Sequence, residues 1–187
     1  MRLVFMVEER SMKEMLEGIL PKILPEDYER PLIIPHNGKH DLTKSIPIKL
    51  RAWQKSNDKF IIVHDQDNND CIQLKSELIS LCDKSRNEHL IRIVCTELES
   101  WYFGDLKAVS LAYEKDYTPL AAKRKYRTPD IIKNAKIELR KIIPAYQPID
   151  GAKRISMYMD VNNNTSHSFN VFVNGVKKLC CISDIAT

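Results

Sequence analysis

Strand-sized apolar runs alternate with helix-sized amphipathic segments through the first hundred residues of this 187-residue chain. That alternation predicts an α/β fold with a mainly parallel sheet flanked by helices. Two further observations agree. The run Phe60-Ile61-Ile62-Val63 is apolar at every position, as a central strand covered on both faces requires. Carboxylates also stand directly after three of the predicted strands, where loops of such sheets converge on one crevice. From about residue 118 the strand signal gives way to helices. The expected organisation is a core over 1–117 with a basic helical extension, 118–187, packed on it as a single domain.

The elements follow in order. Arg2 to Val7 is a short β-rich run. Ser11 and Glu14 have the spacing of a capping box, and Met12, Met15, Leu16, Ile19 and Leu20 then recur at helical period. Pro21 and Pro25 are expected to end that helix. Leu32-Ile33-Ile34 is a second strand. After the turn His36-Asn37-Gly38, a helix is expected from Asp41 or Ser45 to Lys55, with Pro47 in its first turn. Phe60 to Val63 is the third strand. Asp70 caps a helix whose buried stripe is Ile72, Leu74, Leu78, Ile79, Leu81 and Cys82. Leu90 to Cys95 is the fourth strand, and Trp101 begins a helical stretch broken at Tyr117-Thr118-Pro119. Helices over Ile131–Ile143, Gly151–Asp160 and Ser166–Leu179 close the chain, the last weakened by its β-branched residues and Gly175.

Composition sets bounds on function. The chain is 43% apolar and 29% charged, enough for a real core, and its apolar runs fall far short of the roughly 20 residues a membrane span needs. Glu8-Glu9 ends the apolar start too early for a signal peptide, so the cytoplasm is expected. The five cysteines show neither a CxxC pair nor a ligand spacing, which predicts reduced, mostly buried thiols. Net charge is +4 but uneven. Residues 1–117 carry 17 Lys and Arg against 20 Asp and Glu, and residues 118–187 carry 12 against 5. An acidic half and a basic half suit a metal-dependent protein that holds polyphosphate, and suit equally a solvated helical surface.

The chemistry concentrates in the acidic constellation. Glu8 and Glu9 follow the first strand, Asp65 and Asp67 the third, and Glu97 and Glu99 the fourth. In an extended segment Asp65 and Asp67 point the same way. Clustered carboxylates repel one another, and a divalent cation removes that cost. Magnesium, or manganese in its place, takes a few carboxylate oxygens, waters and a substrate phosphate. Glu8, Asp65, Asp67, Glu97 and Glu99 are therefore the candidate ligands, with Glu8 the candidate general acid/base for phosphodiester cleavage. The plain alternative makes each acid a cap or a solvated loop residue, and for Asp70 and Glu9 a cap suffices.

Other residues suggest contacts with nucleic acid. Lys39 lies where it could meet a phosphate. Lys123, Arg124, Lys125 and Arg127 surround Tyr126, a basic patch with one ring available for stacking, or else a solvated loop. His36, His40, His64, His89 and His167 have no ligand spacing, and only His64, beside Asp65, draws interest. Trp53 and Trp101 read as core. With five glycines and neither GxxxxGK nor GxGxxG, the chain does not read as an ATPase.

Glu8 after the first strand and Asp65-x-Asp67 after a later one resemble the Glu and DxD signature of Toprim domains, found in topoisomerases, bacterial primases and OLD-type nucleases. Longer stretches are similar to an uncharacterised bacterial Toprim-like family, a domain of unknown function. They are Val7-Glu8-Glu9-x-Ser11-Met12, Gly38-Lys39-x-Asp41-Leu42 and Lys44-Ser45-Ile46-Pro47-x-Lys49-Leu50-Arg51-Ala52-Trp53. They continue with Asp65-Gln66-Asp67-x-x-Asp70-Cys71, Glu97-Leu98-Glu99-Ser100-Trp101-Tyr102, Gly104-Asp105, Gly151-Ala152, and Asn164-x-Ser166-x-Ser168-Phe169 with Phe172. The resemblance implies a Toprim-like, Rossmann-like fold and a magnesium-dependent nuclease acting on DNA or RNA. It also implies an AAA or ABC-type ATPase encoded alongside as partner, and a role in phage defence. Glu9 stands where many Toprim proteins carry Gly, which sustains the alternative of a non-catalytic module that binds the ATPase or nucleic acid.

Overall fold

A computed structural model describes residues 1–83 and 85–182. Four strands, β1 (Leu3–Val7), β2 (Leu32–Pro35), β3 (Lys59–Asp65) and β4 (His89–Val94), form one sheet in the order β2-β1-β3-β4. Every pairing is parallel. The helices are α1 (Arg10–Ile23), α2 (Lys39–Ala52), α3 (Cys71–Leu81), α4 (Leu98–Phe103), α5 (Leu106–Ala112), α6 (Ala135–Ile142), α7 (Pro148–Tyr158) and α8 (His167–Leu179). The fold is thus α/β with a parallel sheet between helices, an arrangement of Rossmann-like type. No helix among the described residues is long and apolar enough to cross a membrane.

The all-apolar strands follow from the two covered faces. Successive side chains alternate, so Leu3, Phe5, Val7, Ile61 and Val63 join one buried cluster with α1 and with α4 to α8. Val4, Met6, Phe60 and Ile62 join a second with Leu42, Ile46 and Leu50 of α2 and Leu74 and Leu78 of α3. The C-terminal helices are therefore part of the first layer. Helix α7 lies tightly along α1, where a Cβ on Gly18 would stand 2.1 Å from Ser156 Oγ and 2.6 Å from its Cβ. Trp101 is fully buried, whereas Trp53 is only half-buried, edge-on to Phe60.

Several expectations about boundaries need correction. Ser11 lies inside α1, which begins after Glu9, so the capping box does not form and Ser11 Oγ donates to Glu9 Oε1 instead. Pro21 lies within the same helix. The helix ends at Leu24, whose extended backbone is the one favoured before Pro25. Helix α2 starts at Lys39, ahead of the expected Asp41, because Gly38 (φ +92°) supplies a left-handed turn open to glycine. Pro47 consequently falls mid-helix, not in the first turn. In α3, Ile72 (82% exposed) and Ile79 face solvent, and Leu74, Leu78 and Cys82 make the buried contacts. Part of the predicted Ile131–Ile143 helix is a 3-10 turn, Pro129–Ile131, and α7 begins three residues before Gly151. Asp70 and Ser166 do cap their helices, accepting from the Gln73 and Phe169 N–H groups.

Candidate metal centre

The polypeptide leaves β1 toward β2 on one side, while β3 pairs with β1 on the other. The strand order therefore reverses between β1 and β3, and ligands of open α/β sheets bind in the crevice beyond such a point. Glu8 follows Val7 of β1 directly, and Asp65 ends β3. The Glu8 backbone is anchored by Gly38 N–H donating to its carbonyl at 3.0 Å, with His36 N–H bonding the Val7 carbonyl. Its side chain reaches across the crevice. Glu8 Oε2 lies 3.4 Å from the Asp65 N–H and 3.3 Å from His64 Nδ1, and the same ring nitrogen is 2.6 Å from the Asp65 carbonyl.

Electrostatics here run against ionisation. Burial pushes the Glu8 carboxyl above its ordinary range, partly countered by His64 and reinforced by Asp67. Asp65 is pushed well above its range, first by burial and then by Glu8, Glu99 and Glu9. Its Oδ1 is buried and has no hydrogen-bond partner among the described residues. A buried carboxylate oxygen without a donor is costly, since its desolvation is unrecovered.

Behind Asp65 lies a second layer built around Glu99, one of the expected ligands. Glu99, 1% exposed, accepts a 2.8 Å bond from Tyr146 OH at Oε1. Its Oε2 and the buried Tyr102 OH have no hydrogen-bond partner among the described residues. Burial raises the Glu99 carboxyl, with Lys136 opposing. Lys136 Nζ sits 3.4 Å from Glu9 Oε1, and its backbone N–H donates to Glu97 Oε2 at 2.9 Å. Burial disfavours the Lys136 charge, yet Glu99, Glu9 and Asp65 outweigh it and hold the ammonium above its usual range. This α6 lysine is the residue that the sequence reading missed. It comes from the basic extension, about seventy positions beyond Asp65, and its only signature in the chain is one lysine among many.

The other expected residues are distributed differently. At Asp67 the backbone turns left-handed (φ +51°), so the alternation of an extended segment ends there, while the charge of this aspartate still acts on Glu8 and Asp65. Its N–H bonds the Thr96 carbonyl, and its Oδ2 pairs with Lys39 Nζ at 3.2 Å. Lys39, Asp67, Glu97, Asn69, Lys133 and Asn134 line an open groove of about 470 Å³ beside the carboxylates. Glu97 thus faces the groove and Glu99 the interior. Among the described residues, no three His, Cys, Asp or Glu side chains come together as a preassembled metal cluster. What the fold brings together is the pair Glu8 and Asp65.

The basic stretch is largely engaged within the protein. Lys125 Nζ lies 2.6 Å from Glu138 Oε1, and Arg127 donates to the Ala122 carbonyl. Tyr126 is buried, stacked on Phe103 at 5.2 Å with its OH on Glu138, so it offers no ring to a base. Lys123 and Arg124 remain exposed. The thiols also differ from expectation: all five cysteines are free, but only Cys82 is buried.

The chain belongs to a family described as a domain of unknown function, DUF4276, whose model matches residues 7–177. No curated protein and no solved structure matches it.

Proposed function

We propose that this protein is a cytoplasmic, Toprim-like, divalent-metal-dependent phosphodiesterase acting on nucleic acid. One observation carries the reading: a buried Asp65 oxygen without a donor stands beside Glu8 at the switch point of a parallel sheet. The residues fit a magnesium or manganese ion, which takes one or two carboxylates and completes its shell with water and phosphate. Glu8 and Asp65 would hold it, with Asp67 reachable once Lys39 releases it. Bound there, the ion supplies charge neutralisation at a phosphoryl oxygen and an activated water. Lys39 and Lys133, on the groove wall, would bind the neighbouring phosphates. Glu8, whose carboxyl is pushed above its ordinary range by burial, would serve as the general acid or base. An effector role beside an ATPase in phage defence is the context that the family resemblance supplies for such an activity.

The test is cleavage of plasmid, single-stranded DNA and tRNA with magnesium or manganese, comparing wild type with Asp65→Ala/Asp67→Ala. Metal-dependent cleavage lost in the double variant supports the proposal, and equal cleavage by both proteins removes it.

A second reading has its own support. Lys136 already supplies a positive charge to Glu9, Glu99 and Asp65, as a structural pocket in a non-catalytic module would require. Stable co-purification with an ATPase, without turnover on any substrate, would favour this module.

A further inference from the structure

Lys39 and Asp67 both line the groove beside Glu8 and Asp65, and the ammonium of the lysine donates to Asp67 Oδ2 at 3.2 Å. Each backbone is tied to a strand exit of the site. Lys39 is the first residue of α2, and Gly38 before it donates its N–H to the Glu8 carbonyl at 3.0 Å. Asp67 donates its N–H to the Thr96 carbonyl, and Gln66 donates to the Val94 carbonyl, each at 2.8 Å. With both anchors held, exchange of partners here needs side-chain rotation alone. The pair itself is weakly held, since the Lys39 side chain is 47% exposed and that of Asp67 32%. Ion pairs that water reaches contribute little and are easily traded for another partner. Lys39 is also a cation in the first turn of a fourteen-residue helix, where the helix dipole favours an anion. Its charge does nothing for α2, and its value lies in the anion it meets in the groove.

We propose that Lys39 is a phosphate-operated latch on Asp67, which couples phosphate binding in the groove to metal binding at Glu8 and Asp65. In the latched arrangement Lys39 neutralises Asp67 and keeps its Oδ2 occupied. A phosphate oxygen beside the first turn of α2 meets the ammonium and the positive end of the helix together. Lys39 turns to that oxygen and releases Asp67. The freed carboxylate joins Glu8 and Asp65, so two carboxylates facing a divalent ion become three. The coupling is reciprocal: whatever factor phosphate adds to metal affinity, metal adds to phosphate affinity. The latch rests on the metal-centre reading and gives that site a regulation, in which full metal affinity waits for the phosphate of a substrate.

The experiment measures manganese binding to the full-length protein by calorimetry. Wild type, Lys39→Met, Asp67→Asn and the double variant are compared. Wild type and Lys39→Met are then repeated with a short phosphorothioate oligothymidylate, which resists cleavage. Asparagine is chosen at 67 because it tolerates the left-handed backbone there. Lys39→Met should bind manganese about threefold to fivefold more tightly than wild type, the range that an exposed ion pair allows. The oligonucleotide should tighten wild type by a similar factor and leave Lys39→Met unchanged. In the Asp67→Asn background, removing Lys39 should change the affinity by less than about twofold. Equal or weaker binding by Lys39→Met overturns the latch and leaves the metal centre standing. So does a gain that persists without Asp67, or an oligonucleotide without effect on wild type. No manganese binding by any of the four proteins removes the metal centre and the latch with it.

Discussion

Two aspartates, the buried Asp65 and the half-buried Asp130, are treated in opposite ways by the fold. Asp130 accepts from Ser166 Oγ, Ser168 N–H and Ser168 Oγ between 2.7 and 3.0 Å. Ser168 Oγ in turn receives the indole N–H of Trp101 at 2.8 Å. Each group in that network has a partner, and the result is a seal between the 3-10 turn at 129–131, the start of α8 and α4. Asp65 is buried beside Glu8, with one oxygen lacking any donor among the described residues. The difference teaches that the satisfied Asp130 is structural, whereas the proposed metal site rests on the unsatisfied oxygen of Asp65.

This contrast can be broken at several points. The largest effect is expected from Asp130→Ala, which strips the acceptor from two serine hydroxyls and from the first turn of α8. About 3 kcal/mol of stability should be lost in urea unfolding. A loss within about 0.5 kcal/mol would make the network ornamental. Lys136→Met should follow, costing about 2 kcal/mol without metal, because Glu99, Glu9 and Asp65 lose the ammonium that interacts with all three. Added manganese should recover more thermal stability in this variant than in wild type.

Asp65→Asn acts in the other direction. The folded-state pKa of Asp65 is raised, so the native protein binds this proton more tightly than the unfolded chain does. Stability from this group is therefore present at low pH. It declines as pH rises past the ordinary carboxylate range and is fully lost above the raised value. The asparagine variant should exceed wild type by on the order of 1 kcal/mol near pH 8, with the gap closing toward pH 4. A gap independent of pH in thermal melts would refute the assignment. The smallest effects come from a tyrosine pair. Tyr146→Phe removes the donor of Glu99 and should cost about 1 kcal/mol. Tyr102→Phe deletes a buried hydroxyl that has no partner and should be neutral or slightly stabilising.

Much of the fold was legible in the chain because its cause is local. Apolar strands, helical periodicity and the caps Asp70 and Ser166 are written over a few consecutive residues. The errors arose where backbone geometry overrode a local preference. Pro21 and Pro47 sit within helices, and Gly38 starts α2 early. Ile72 and Ile79 are apolar yet face solvent, since the helix buries a narrower stripe than the composition suggests. The candidate site was legible as strand exits, and Glu8 and Asp65 do lie side by side where β1 and β3 end. The left-handed turn at Asp67 was not readable, nor was the arrival of Lys136, Tyr102 and Tyr146. Those depend on how distant helices dock, and a single sequence carries no local mark of that. Tyr126 shows the same limit in reverse, for the ring that seemed to belong to a basic surface patch is packed on Phe103.

The most direct measurement is a manganese titration of wild type and Asp65→Asn, read by calorimetry and by thermal shift in one buffer near pH 7.5. The account predicts saturable binding to wild type with a rise in melting temperature, and loss of both in the variant. Identical binding by the two proteins, or none by either, would contradict it.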